Sequence, residues 1–182
     1  MKRLAAAVAL VLASVAAASL ERPPAPEISL PDTEGKTVTL AEYRGRVVLL
    51  AFTRGAWCTA CLEQLIQLER LKGSTLKGVA VLVVAPDPPE DSRALVASVE
   101  RQKRVRLTHR FLSAPRGRTL NRPAEDNRGK APRLPPSLVL VDRDGREAWR
   151  FVEREHRMRP SDRELARAVA KAVVGPIGVS RE

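Results

Sequence analysis

Two cysteines separated by two residues are the part of this sequence best suited to chemistry. Cys58 and Cys61 lie in the stretch 47–65, where an apolar, β-rich run is followed by a break at Arg54-Gly55 and then by apolar residues at helical spacing. We therefore expect a buried strand, a tight turn and a helix whose first turn carries both thiols. The unpaired backbone N–H groups and the positive dipole end of such a helix stabilise a thiolate. A reactive sulfur with a second cysteine one turn away predicts two-electron thiol–disulfide chemistry.

Three other interpretations of the cysteine pair compete with redox chemistry. Zinc needs four ligands, and the remaining candidates, His109 and His156, do not form a ligand-type pair. A structural disulfide closing so short a loop would constrain the unfolded chain little. Coincidence is the third, but a pair placed between a strand and a helix is more specific than its spacing alone. We favour redox chemistry, predict no metal and no cofactor, and take both histidines as surface or structural residues.

Residues 1–19 have the pattern of a secretory signal peptide. A charged start, Met1-Lys2-Arg3, precedes an apolar run of Ala, Val and Leu that ends in small residues. The run is short for a membrane span, which needs about 20 residues, although an uncleaved anchor stays open. No cysteine follows it, which excludes a lipoprotein anchor. We expect an exported, periplasmic or otherwise extracytoplasmic protein, in a compartment where disulfides persist.

The 182 residues fit one domain of moderate size. Residues 20–27 are proline-rich and predict a stiff, extended linker. The domain is expected over 28–175, followed by a tail at 176–182, because Gly175-Pro176 stops the last helix. There is no internal repeat.

Strand and helix patterns alternate through this domain. Apolar and polar residues alternate around Asp32–Gly35 and predict a hairpin over 28–40, and the apolar run 78–85 predicts a strand buried on both faces. The next predicted elements are a helix that is capped by Asp91 or Ser92 and ends near 104, and a short strand at 107–112. A long loop with one helical turn is predicted at 113–134, followed by paired strands at 137–141 and 147–152 around a turn at 142–145. The last predicted element is a helix that is capped by Ser161 and carries on one face Leu165, Ala168, Val169, Ala172 and Val173. This order predicts an α/β sheet with helices on its faces.

The chain is strongly basic. Its formal charge is +11, and losing Lys2 and Arg3 with the signal lowers it by two, to +9. The segment 101–133 carries eleven basic residues against Glu125 and Asp126. Such a segment is typical of a docking face for an acidic partner or an anionic membrane, or simply of a solvated arginine-rich surface, which we favour. With 3% aromatic residues and no binding motif, nucleic acid is not an expected partner.

Three segments resemble the redoxin branch of the thioredoxin-like superfamily, which includes AhpC/TSA-type proteins and TlpA/ResA-like exported thiol–disulfide oxidoreductases. Residues 30–40 resemble its N-terminal hairpin, and 136–145 resemble its cis-proline strand and the turn after it. Residues 52–65 are similar to the signature Phe-x-Arg-Gly-x-Trp-Cys-x-x-Cys-x-x-Gln-Leu. The resemblance covers about 28–174. It implies a thioredoxin-like α/β fold, in which a central mixed sheet is flanked by helices and carries an N-terminal β-hairpin extension.

Two chemistries occur in this branch. Peroxiredoxins place Pro-x-x-x-Thr-x-x-Cys around the peroxidatic thiol, whereas Ala51 and Gly55 hold the proline and threonine positions before Cys58. Pro136 stands where those proteins have a second arginine. The three mismatches favour disulfide exchange. An antioxidant thiol peroxidase of the AhpC/TSA type stays as the alternative, because Arg54 is available as a partial substitute for orienting an anion.

The match to disulfide oxidoreductases is also incomplete. Many thioredoxins hold a buried acid where this chain has Ala51, so the proton of Cys61 must go to water, a more distant side chain or the substrate. Pro135, before the presumed cis-proline, has no N–H to offer an extended substrate.

The resemblance implies a role for each site residue. Cys58, partly exposed at the helix N-terminus, is expected to attack, and the more buried Cys61 to resolve the mixed disulfide. Trp57 is expected to pack beside the site as a possible cover for it, and Trp57, Pro136 and Arg54 are expected to position the substrate. The expected partners are protein disulfides or dithiols and an upstream thiol reductant. A second alternative is a non-enzymatic module that carries copper or docks a cytochrome, although related metal carriers space their cysteines further apart and add a histidine.

Overall fold

The computed structural model describes residues 22–114, 136–153 and 159–174. Its strands are β1 Ser29–Pro31, β2 Thr37–Thr39, β3 Val48–Phe52, β4 Ala80–Ala85, β5 Arg110–Ser113, β6 Ser137–Val141 and β7 Glu147–Val152. Its helices are a 3₁₀ helix at Leu40–Tyr43, α1 Thr59–Leu71, α2 Pro89–Lys103 and α3 Asp162–Val174. β1 and β2 form a hairpin, and the other five strands form a mixed sheet in the order β5-β4-β3-β6-β7. The predicted α/β architecture with an N-terminal hairpin is confirmed.

β3 is the middle strand, and its position explains its continuous apolar run. It pairs in parallel with β4 and antiparallel with β6, so that Phe52 lies opposite Val84 on one side and Ser137 on the other. All five β3 residues are buried. Alternate side chains point to opposite faces of a strand. Leu49 therefore joins the core on one face and Leu50 the core on the other, which leaves no position for a polar residue.

The three α-helices lie on one face of the sheet. The steps from β3 through α1 to β4 and from β4 through α2 to β5 are both parallel and run the same way across the sheet. The right-handed rule for such crossovers places both helices on the same side. Leu68 of α1, Val99 of α2 and Leu165 of α3 accordingly belong to one core. The hairpin, through Leu30 and Val38, covers the other face.

Several predicted boundaries are wrong. α2 begins at Pro89 with Pro88 at the N-cap position, so neither Asp91 nor Ser92 caps it. A proline at the first helical position has its φ already set for a helix and lacks only an N–H that would be unpaired there. β5 begins three residues later than the predicted strand at 107. Val173, predicted on the apolar face of α3, is 37% exposed, because one residue turns a helix by about 100° away from the buried Ala172.

The segment predicted as a linker contacts the domain. The backbone N–H of Ala25 donates to the carbonyl of Gly145 at 3.2 Å, and that of Glu147 to Pro23 at 3.0 Å. Arg22 pairs with Asp142 at 3.2 Å. From residue 22 onward this segment therefore packs along the β6–β7 turn and does not stand clear of the fold.

His109 connects β5 to the cysteine helix. Its side chain is buried, and Nε2 lies 3.0 Å from the carbonyl oxygen of Leu65 and 3.3 Å from Oε2 of Glu69. Burial lowers the pKa of His109, and the Leu65 carbonyl and Glu69 oppose that shift. Of the two roles considered for this histidine, the structural one fits.

Several predictions fall outside the described residues: the segment 1–19, nearly all of the loop 113–134 with its helical turn, Pro135, His156, and the C-terminal end from Gly175 onward. Within the described ranges, no helix combines the length and apolarity that a membrane crossing requires.

Candidate active site

Cys58 and Cys61 form a disulfide at the N-terminus of α1, with their Cα atoms 5.2 Å apart. Cys58 is the N-cap residue, and its Sγ accepts a hydrogen bond from the N–H of Cys61 at 3.2 Å. The N–H of Arg54 lies 3.5 Å from Sγ of Cys61. Each sulfur therefore faces a backbone donor, which stabilises the negative charge that appears on it when the disulfide is broken.

The turn before the helix depends on Gly55. Its φ is +131°, a backbone conformation that side-chain-bearing residues rarely adopt. A Cβ at this position would lie 2.9 Å from Oδ1 of Asp87 and 2.9 Å from Nε1 of Trp57. The carbonyl of Gly55 in turn accepts the N–H of Cys58 at 3.1 Å. Both the backbone conformation and the limited space around it require glycine at position 55. The turn places Cys58 at the N-cap position of α1.

Both cysteines are buried in the disulfide form. Cys58 is 5% exposed and Cys61 3%, so the expected partial exposure of Cys58 is not seen. The reason is local, because the Sγ of an N-cap residue that is bonded to Cys61 turns back over the first helical turn. Trp57 is 68% exposed and lies against Gly55. It is a large, exposed apolar residue directly before Cys58 in the chain.

Arg54 and Pro136 meet through a residue that the sequence did not indicate. Nη2 of Arg54 donates to Oε2 of Glu153 at 2.7 Å, and the side chain of Glu153 is 9% exposed. The N–H of the same Glu153 donates to the carbonyl of Pro136 at 2.9 Å. The residue that follows β7 therefore holds Arg54 and Pro136, two of the predicted positioning residues, at one edge of the site. It also compensates the charge of Arg54.

Pro136 enters β6 directly beside the end of β3. Ser137 is the register partner of Phe52, so Pro136 precedes the strand at the edge where the chain leaves β3 for the cysteines. The peptide bond into Pro136, for which the resemblance implies a cis configuration, starts from Pro135 and lies outside the described residues.

Asp87 is a further residue of the site that the sequence analysis missed. It follows β4, and its Oδ2 accepts the N–H of Ala56 at 2.6 Å. Burial raises the pKa of Asp87, the Ala56 N–H opposes that shift, and the negative charge of Asp91 adds to it. A signal was available, because parallel strands bring their carboxyl ends to the same edge. A residue just after β4 should lie near residues just after β3.

No group of three or more His, Cys, Asp or Glu side chains that could hold a metal ion occurs among the described residues. The reactive groups that the site does bring together are the two sulfurs of Cys58 and Cys61.

The family model described as Redoxin matches residues 21–169. The chain belongs to the Redoxin family. Among curated proteins, this redoxin is 39% identical over 67 residues to a Mycobacterium tuberculosis protein named "Putative peroxiredoxin". That alignment covers 36% of this chain and 43% of the relative, so the chain spans less than half the length of the curated relative it matches.

Solved structures support the fold. Peroxidoxin BcpB of M. tuberculosis superposes with a TM-score of 0.64 at 17% identity, covering 82% of this redoxin and 95% of that chain. A secreted M. tuberculosis disulfide oxidoreductase superposes with a TM-score of 0.57 at 18% identity, covering 79% and 94%. At these identities the likeness concerns the fold alone. It confirms the predicted thioredoxin-like architecture.

Proposed function

We propose that this redoxin is an exported thiol–disulfide oxidoreductase that exchanges disulfides with partner proteins. The observation that carries the proposal is the Cys58–Cys61 disulfide at the N-terminus of α1, with a backbone N–H directed at each sulfur. Two sulfurs in this arrangement can be joined and separated without rebuilding the helix around them. Trp57 and Pro136 are the residues that we expect to contact an extended partner segment.

In the proposed reaction two electrons pass from the dithiol to a partner disulfide. The thiolate of Cys58 attacks one partner sulfur, and the other partner sulfur leaves as a thiolate. Cys61 then loses its proton and attacks Sγ of Cys58, which releases the second partner thiolate. The protein is left with its disulfide, the partner with two thiols, and an upstream thiol reductant restores the starting state. The same steps in reverse oxidise a partner dithiol.

Location and domain limits belong to the same proposal. A signal peptide or anchor at 1–19, a domain over 28–175 and a tail at 176–182 are consistent with a protein that works in the periplasm, free or held near the membrane. Two observations support export: the signal-like N-terminus and the disulfide itself, which persists best in an oxidising compartment. The fold shared with a secreted disulfide oxidoreductase agrees with it. The basic segment 101–133 is not assigned a partner.

Thiol peroxidase activity is the second candidate, favoured by the similarity to a protein named as a peroxiredoxin. In that reaction the Cys58 thiolate would attack peroxide and form a sulfenic acid, and Cys61 would condense with it and release water. Two features argue against it. Gly55 supplies no hydroxyl, and Arg54, the available cation, is paired with Glu153.

The test is a comparison of two oxidants on the reduced protein. We expect rapid loss of both thiols with a protein disulfide substrate and slow loss with hydrogen peroxide, close to the rate of a free cysteine. Thiol titration measures both reactions, and the fluorescence of Trp57 reports the change beside the site. Rapid and saturable consumption of peroxide would reassign the protein as a peroxidase.

Two serine variants assign the order of attack and serve as controls for each other. Cys58→Ser should abolish turnover, whereas Cys61→Ser should accumulate a mixed disulfide with the substrate, separable on a non-reducing gel. If Cys61→Ser traps no partner under mild oxidation and Cys58→Ser does, the two roles must be exchanged.

A further inference from the structure

A small cavity lies beneath the disulfide. It has a volume of about 10 Å³, on the scale of one water molecule. Both cysteines line it, together with Asp87 from the turn after β4. Most of the remaining wall is apolar and includes Leu62, Leu65, Leu95 and Phe111. Among the described residues that line this cavity, Asp87 is the single ionisable group besides the cysteines.

The carboxylate of Asp87 is fixed over the turn that leads to Cys58. The N–H of Ala56 donates to Oδ2 at 2.6 Å, and Oδ1 lies 2.9 Å from the place a Cβ on Gly55 would occupy. The backbone of Asp87 is also anchored, because Oγ of Ser113 donates to its carbonyl at 2.7 Å. The hydrogen bonds from Ala56 and Ser113 hold Asp87 in the wall of the cavity that both cysteines also line.

The carboxylate of Asp87 has no ion-pair partner among the described residues. Within the described part of the chain, neither arginine nor lysine forms an ion pair with Asp87. The charged group that faces it from α2 is Asp91, whose like charge disfavours ionisation, and α1 contributes the two cysteines. Arg54, on the other side of the turn, is held by Glu153. Asp87 is therefore a partly desolvated acid beside a dithiol, with a single N–H donor to its charged form.

We propose that Asp87 takes the proton from Cys61 when the disulfide forms and returns it when the disulfide is reduced. The proposal deepens the proposed exchange function and rests on it. It also supplies an acid–base group that position 51 lacks, since Ala51 is buried and cannot carry a proton. The group comes from the neighbouring parallel strand, whose carboxyl end reaches the same cavity.

Atoms and electrons balance in this step. The proton of the Cys61 thiol moves to the Asp87 carboxylate across the cavity, and the Cys61 thiolate attacks Sγ of Cys58. The bond between Cys58 and the partner sulfur breaks, and the partner leaves with that electron pair as a thiolate. It takes up a proton from Asp87 or from water, and Asp87 is protonated again from solvent before it donates a proton to Cys61 in the reduction of the disulfide. An acid whose pKa is raised toward the working pH serves better in both directions than one that is always ionised.

The experiment separates attack from resolution with one reagent. Reduced protein is mixed with dithiobis(nitrobenzoate) in a stopped-flow instrument. The first thionitrobenzoate is released by Cys58, and the second when Cys61 resolves the mixed disulfide. For Asp87→Asn we expect a first phase at least as fast as that of wild type, because losing the carboxylate charge favours the Cys58 thiolate, and, at neutral pH, a second phase slowed by about 10-fold or more. Asn keeps an oxygen acceptor for the Ala56 N–H, so the turn is retained.

The pH profile distinguishes proton transfer from a structural role. At alkaline pH, where Cys61 is already a thiolate and needs no base, wild type and Asp87→Asn should resolve at the same rate. A deficit of equal size at every pH, or no deficit at neutral pH, would overturn the proposal. Asp91→Asn is the matched control, because it removes a neighbouring carboxylate that is exposed and should leave the second phase within about 2-fold of wild type.

A measurement on the wild type guards against a variant that does not fold. Infrared difference spectra of the carboxyl band should show Asp87 titrating at higher pH in the reduced protein than in the disulfide form, since a nearby thiolate disfavours its ionisation. Identical titrations in the two redox forms would contradict the proposal. If wild type fails to release even the first thionitrobenzoate, the exchange function itself is wrong, which is a separate outcome.

Discussion

Asp32 and Asp87 occupy turns in the same fold, and their surroundings move their acidity in opposite directions. Asp32 accepts hydrogen bonds from Nε and Nη2 of Arg110 at 3.0 and 2.6 Å. It also accepts the backbone N–H groups of Glu34 and Lys36 at 2.9 and 3.0 Å. The Arg110 hydrogen bonds lower the pKa of Asp32, burial opposes them, and the two N–H groups add to the lowering. Asp87 has one backbone donor, and burial raises its pKa.

The difference separates an aspartate that holds the fold from one that is free to exchange a proton. A carboxylate with a guanidinium and two amides is stabilised in one charge state and contributes to stability in that state. A carboxylate with one amide donor, in a cavity lined by two sulfurs, is not held in one charge state in this way. Asp142 has partners of the same kinds, since its Oδ1 accepts the N–H groups of Asp144 and Arg146 and its Oδ2 pairs with Arg22.

The largest expected effect comes from removing the satisfied carboxylate. Asp32→Ala leaves Arg110 and two turn amides without their acceptor, and we expect the free energy of unfolding to fall by about 3 kcal/mol. The rate of disulfide exchange should not change, because Asp32 lies at the hairpin and not at the dithiol. Urea unfolding and the two-phase thionitrobenzoate assay measure these two effects.

Asp144→Ala is the control for Asp32→Ala. It removes an exposed aspartate from the corresponding turn between β6 and β7 and should change the free energy of unfolding by less than about 0.5 kcal/mol. An Asp32→Ala protein of normal stability with altered exchange kinetics would show that the two regions are not separable in this way.

Glycines in the two regions give the next largest contrast. Gly35, in the Asp32 turn, has φ +84°, and a Cβ placed there would meet nothing within 4 Å, so Gly35→Ala should cost about 1 kcal/mol for conformation alone. The Cβ of Gly55→Ala would also contact the carboxylate of Asp87 and the ring of Trp57, so this variant should lose about 2 kcal/mol of unfolding free energy. It should also slow the second thionitrobenzoate phase, because Asp87 must move. Equal loss of stability and unchanged kinetics in both variants would contradict the close approach at Gly55.

Whether the sequence predicts a structural feature depends on how far apart in the chain the contacting residues lie. The helix start at Cys58, the buried run of β3 and the Asp32 turn depend on neighbours a few residues away, and pattern alone locates them. The pairing of Asp87 with Ala56 spans 31 residues, and that of Arg54 with Glu153 spans 99. Those contacts depend on strand order and direction, which periodicity does not contain.

Residue type also gives wrong predictions where the local backbone geometry determines the structure. An attacking thiol needs access, which predicts partial exposure for Cys58, but its N-cap position and its bond to Cys61 bury it in the disulfide form. Residue types predict an acidic or hydroxyl cap for α2, although Pro88-Pro89 already sets the backbone for a helix start. In both cases the local backbone, which the residue type does not reveal, determines the outcome.

The last expected effect is on the pH dependence of stability. It is the smallest, but it discriminates best, because its sign differs between the two aspartates. The pKa of Asp32 is lowered in the folded state, so its contribution is complete above the unfolded value of about 3.9 and is lost as the pH falls through the folded value. Asp32→Asn should therefore be less stable than wild type at neutral pH, and the difference should disappear in acid. The pKa of Asp87 is raised, so its charge destabilises the folded state at neutral pH, and acidification through the folded value relieves that penalty.

Asp87→Asn should consequently be slightly more stable than wild type at neutral pH, with a difference that also vanishes in acid. Urea unfolding of the three proteins across a pH series, all in the disulfide form so that no thiol titrates, gives two difference curves of opposite sign that converge at low pH. If Asp87→Asn is instead less stable at neutral pH and recovers in acid, its carboxylate is stabilised in the folded protein as that of Asp32 is. Asp87 would then be a structural turn residue, and the proton of Cys61 would have to leave by way of water or the substrate.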